Sequence, residues 1–163
     1  LNTVSTTQQE EVMRFKDYLV AEETRVPFDF SLNDAKQLWR EINQVCFNGE
    51  LNEPMILIEQ DLSHLLTPEQ QKMMADRFGK GQILGYCDED PETGEVVLLF
   101  CSDMDDAREL VAVVAHEMVH QALAEKHGYR GMLRVGHGPE FMGYAPAIKK
   151  YHNTVLLGPS YGT

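Results

Sequence analysis

The distribution of apolar positions along the chain predicts a succession of short helices and strands. From about Gln8 to Glu23, Val12, Phe15 and Leu19 recur at helical spacing, which predicts an amphipathic helix, and Pro27 lies in the break that follows. Ser31 and Asp34 resemble a helix start, and Leu38, Ile42 and Val45 mark one face of a helix reaching about Phe47, with Trp39 flanking the stripe. Asn48 and Gly49 end that helix by allowing positive φ, and after Pro54 the run from Met55 to Glu59 reads as a short strand. Thr67 and Pro68 then open a helix to about Phe78.

Gln82 to Cys87 and Glu95 to Cys101 suit two strands of a hairpin, separated by a turn over 91–94. The second of them is apolar on both faces, so it belongs inside the sheet with helices covering it. Ser102 and Asp105 have the spacing of a capping box for a helix from about Asp103 to Lys126, which Gly128 stops. A loop containing Gly131 and Gly136 leads to Gly138, and Pro139 opens a last helix to about Tyr151. This order predicts an α+β fold in which a three- to four-stranded sheet packs against helices. One domain over residues 1–163 is expected, with its core at about 32–150.

One stretch breaks the pattern. Val111 to His120, VAVVAHEMVH, is apolar enough to be buried on most faces of a helix, yet it carries two histidines and a glutamate. Polar side chains at such positions need a partner. His116 and His120, four apart, share one helix face, and Glu117 lies beside them, which is the H-E-x-x-H pattern of zinc hydrolases.

A catalytic zinc takes three protein ligands and keeps a fourth position open. His127 lies seven residues past His120, about 10 Å farther along a continuous helix, too far to share one ion. Glu125 has the same axial problem, and Glu140 is a further carboxylate candidate. His137 is better placed, because the glycine-rich loop can return the chain across the site and the helix at Pro139 can fix the imidazole. With His116, His120 and His137 as ligands of one Zn2+, a water of lowered pKa would meet Glu117 as its proton acceptor. Tyr129, Arg134 and Tyr144 are candidate donors to a developing oxyanion. His64, in a polar loop, reads as a surface residue.

Composition narrows the setting. The 163 residues are 43% hydrophobic and 25% charged, ordinary values for a folded globular chain. Cys46, Cys87 and Cys101 form no C-x-x-C pair, which points away from a disulfide framework or a cysteine zinc ribbon and towards an intracellular compartment, cytoplasmic or, in a eukaryote, nuclear. No apolar run approaches the ~18 residues of a membrane span, and the first ten residues lack the features of a signal peptide. No membrane partner is expected. Residues 1–120 hold 9 Lys/Arg against 24 Asp/Glu, whereas residues 121–163 hold 5 against 2. That acidity argues against broad nucleic-acid coating, although Lys126, Arg130, Arg134, Lys149 and Lys150 offer a local basic patch.

The chain resembles the SprT-like family, which includes the Spartan proteases that degrade proteins crosslinked to DNA. The resemblance rests on ordered elements spanning about residues 32–150: Leu38-Trp39 through Asn43 to Phe47-Asn-Gly-Glu-Leu51, then Gly85-Tyr86-Cys87, His116-Glu-Met-Val-His120 and His137-Gly-Pro-Glu-Phe141. It implies a compact zincin-like domain and a zinc metalloprotease acting on a protein or peptide. It also implies His116, His120 and His137 as zinc ligands, and Glu117 as the catalytic acid/base. DNA as a partner is implied too, but the acidic charge and the missing C-x-x-C motif depart from the family pattern there. A metal-stabilised binding or adaptor domain is the alternative expectation.

Overall fold

The computed structural model describes residues 28–78, 83–153, 155 and 157. The helix expected over 8–23 lies outside them. Helix α1 (Leu32–Cys46) starts at Ser31, whose hydroxyl accepts the Asp34 amide while the Asp34 carboxylate accepts the Ser31 amide, a reciprocal capping box. It ends where Asn48 and Gly49 adopt positive φ. The Asn43 side chain both donates to the Leu51 carbonyl and accepts its amide, which holds the turn against the helix.

Strand β1 (Met55–Glu59) follows, then a single 3-10 turn (Ser63–Leu65) and helix α2 (Pro68–Phe78), which the Thr67 hydroxyl caps at the Gln70 amide. Strands β2 (Gly85–Glu89) and β3 (Val96–Cys101) make the expected hairpin. The three strands form one sheet in the order β1-β3-β2, with β1 parallel and β2 antiparallel to β3. The inner place of β3 agrees with its two-sided apolar sequence, and Val97 to Cys101 are all buried. β2 begins three residues later than the apolar pattern predicts. Ile83 and Leu84 are buried but precede the strand, and the Leu84 carbonyl still accepts the Cys101 amide at 2.9 Å.

Helix α3 (Ala107–Val135) is the spine of the molecule, with every residue from Leu110 to Ala124 buried. Its cap is Asp106, whose carboxylate accepts the Glu109 amide at 2.8 Å, so the start lies four residues beyond the predicted start at Asp103. Gly128 breaks it with φ 79 and ψ 164, a conformation open essentially to glycine alone. The chain then returns to helix up to Val135, where a loop had been expected.

The last predicted helix is also divided, into α4 (Pro139–Met142) and α5 (Ala145–Ile148). Pro146 has no N–H to offer the Met142 carbonyl, so a continuous helix would lose a bond and meet a ring clash there. The Trp39 indole N–H donates to Gln121 Oε1 at 3.0 Å, fixing α1 against α3. Among the described residues no helix is long and apolar enough to cross a membrane.

Candidate metal centre

α3 carries His116 and His120 one turn apart on a face turned inward, with 0% and 5% of their surface exposed. Past the break at Gly128 the chain folds back, and a second positive φ at Gly136 delivers His137 just before α4. The structure therefore brings together the three histidines selected from the sequence. Their ligand atoms lie within 4.8 Å of one another, and His137 Nε2 is 3.2 Å from both His116 Nε2 and His120 Nε2.

These distances suit a shared ion. Three nitrogens bound tetrahedrally at the usual Zn–N length would sit about 3.3–3.4 Å apart. Hydrogen bonding alone accounts poorly for the cluster, because one ring N–H on His137 cannot serve two nitrogens at once. Burial pushes His137 below the ordinary histidine range, and burial followed by His137 itself holds His120 down to about 4. Both imidazoles are thus neutral near pH 7, the form that binds metal. His120 Nδ1 is buried and has no hydrogen-bond partner among the described residues.

Phe141, which closes the stretch from His137, is wholly buried. Its ring centroid lies 5.0 Å from that of His116, 4.7 Å from His120 and 4.8 Å from His137. It forms an apolar wall common to all three imidazoles and supplies by packing some of the orientation that hydrogen bonds supply in other metal sites.

Glu117 is 0% exposed and runs beneath β2. A Cβ placed on Gly85 would stand 2.7 Å from Val113 Cγ1, 2.9 Å from Glu117 Cγ and 3.0 Å from Glu117 Oε2. Only a residue without a side chain fits there. A glycine inside a strand is a known mark of close approach, and that was the available signal for this contact. Burial, then Glu117 and Asp88, pushes the neighbouring Cys87 thiol far up, which keeps it protonated and unsuited to ligation.

The other ligand candidates are engaged elsewhere. Glu125 accepts from the Asn52 amide and from Gln121 Nε2, tying α3 to the segment before β1. His127 Nε2 meets Glu140 Oε2 at 2.6 Å, so these two candidates hold each other. Of the proposed oxyanion donors, Tyr129 donates to Asp88 at 3.4 Å, Tyr144 packs on Phe47, and Arg134 is exposed in the last turn of α3. His64 is exposed beside Glu59, as a surface residue should be. In the basic patch, Lys126 pairs with Glu140 at 3.4 Å, while Arg130, Arg134, Lys149 and Lys150 are exposed.

Set against protein-family models, curated proteins and solved structures, the chain matches none of them.

Proposed function

We propose that this chain is a zinc metallopeptidase of the SprT-like kind, cutting peptide bonds in an extended protein segment. The observation that carries this reading is the buried carboxylate of Glu117, next in sequence to one of three converging imidazoles and packed beneath the edge strand β2. A purely structural zinc needs no such carboxylate and usually has four protein ligands. Zinc held by His116, His120 and His137 would supply a Lewis acid that acidifies water and polarises a carbonyl.

The chain's own groups do the rest. Glu117 receives the proton of the attacking water on its carboxylate and passes it to the departing amide nitrogen. Among the described residues β2 pairs with β3 on one side only, and its other edge suits main-chain hydrogen bonds to an extended substrate. Phe141 keeps water from the back of the imidazoles. DNA, the partner that the family resemblance implies, would find its cations in Arg130, Arg134, Lys149 and Lys150. An intracellular location, cytoplasmic or nuclear, belongs to the same proposal.

The test is Glu117→Gln, with metal content and hydrolysis of an unfolded protein measured with and without single-stranded DNA. The variant should keep about one zinc per chain and lose hydrolysis by roughly 10²- to 10⁴-fold. A wild-type protein that is metal-loaded, folded and as inert as the variant would favour the adaptor reading instead.

A further inference from the structure

Two of the three histidines ride on a helix buried on every side, and the third does not. His137 is partly exposed and belongs to the segment that leaves α3 at Gly128 and returns to it. That segment contains positive-φ glycines at 128 and 136, whose backbone freedom makes its course the least determined part of the site. Something must fix it.

We propose that His127 and Glu140 form a clasp that holds His137 in its ligating position, so that the three-histidine site is assembled before any ion arrives. The proposal rests on the reading of His116, His120 and His137 as a metal site. His127 is the last residue before the break and Glu140 lies in the first turn of α4, so their 2.6 Å contact closes the segment bearing His137 at both ends. Lys126 Nζ reaches the same Glu140 oxygen at 3.4 Å and adds a cation to the contact.

Gly131 leaves the room that the His127 side chain occupies, since a Cβ there would fall 2.5 Å from the His127 Cβ. Glu140 in turn precedes Phe141, the ring that touches all three imidazoles. A shift of Glu140 therefore moves the wall and the third ligand together. His127 and Glu140 are positioning residues; neither belongs to the ligand cluster.

The test uses the full chain stripped of metal. Cobalt(II) is titrated by its visible absorption and zinc by competition, for the wild type, His127→Ala, Glu140→Ala, the double variant and His127→Gln. His127→Ala and Glu140→Ala should each weaken zinc binding roughly three- to tenfold, the range expected for a half-exposed charge-assisted pair. The double variant should be no weaker than the worse single one, because Glu140→Ala already removes the contact that His127→Ala removes. His127→Gln, whose amide can donate from near the position of Nε2, should bind almost as the wild type does.

Unchanged zinc affinity in either alanine variant overturns the proposal, and so do losses that add in the double variant. A lower melting temperature with unaltered affinity and cobalt spectrum would mean that the pair only stabilises the fold, which also overturns it. If the wild type takes up neither cobalt nor zinc, the metal-site reading itself fails and the proposal falls with it.

Discussion

Gly85→Ala tests the contact between β2 and α3 without touching a metal ligand. The added methyl would lie 2.7 Å from Val113 Cγ1 and 2.9 Å from Glu117 Cγ, where carbon atoms prefer about 3.5–4.0 Å. Roughly 1 Å of separation has to be found. The far end of Glu117 can swing, but Val113 is β-branched, wholly buried and held on the central helix. The strand or the helix must therefore give way, at a cost of about 1–3 kcal/mol for overpacking. In a chain of this size that lowers the melting temperature by roughly 2–12 °C.

The same methyl displaces the Glu117 side chain. A misplacement of about 1 Å at a catalytic group can cost on the order of 10²-fold in rate. The added methyl meets Val113 and Glu117 first and not the three histidines, so zinc stoichiometry should remain as in the wild type. Thermal melting, metal content and peptide hydrolysis together make the assay. A Gly85→Ala protein that melts and turns over like the wild type would refute the close packing of Glu117 under β2.

Three further outcomes are expected. His137→Ala should reduce zinc occupancy sharply, as read by metal analysis after dialysis, while leaving the fold intact. Gly128→Ala should destabilise the chain by about 1–3 kcal/mol, measured by denaturant unfolding, because φ 79 with ψ 164 is closed to alanine. The metal-free protein should lose stability in acid: His120 titrates near 4 when folded against an ordinary 6.5, so between those values the unfolded chain takes up a proton that the folded chain refuses. The contribution is intact above pH 6.5 and falls by about 3 kcal/mol as the pH approaches 4, at 1.36 kcal/mol per pKa unit. Denaturant midpoints of wild type and His120→Gln across that range will measure it.

The helix carrying His116 and His120 was legible because its polar residues stood out against an apolar run, a contrast that local periodicity expresses directly. His137 was legible because three nearby glycines announced a reversal. The start of α3 was not, since Ser102, Asp103, Asp105 and Asp106 are all capping types and only the fold selects Asp106. The helical return after Gly128 was hidden by the same glycines that announced the turn. The contacts of Gly85, of Phe141 and of His127 with Glu140 join positions distant in sequence, and no periodicity encodes them.

Phe141 has a kinetic consequence. Its buried ring closes one side of the imidazole cluster, so the doorway for ions, chelators and substrate alike must lie on another side. Whatever occupies that doorway also governs exchange: a tight competitive ligand should slow the stripping of metal by a chelator, and a loaded, liganded protein should outlast an empty-cleft one in a metal-poor solution.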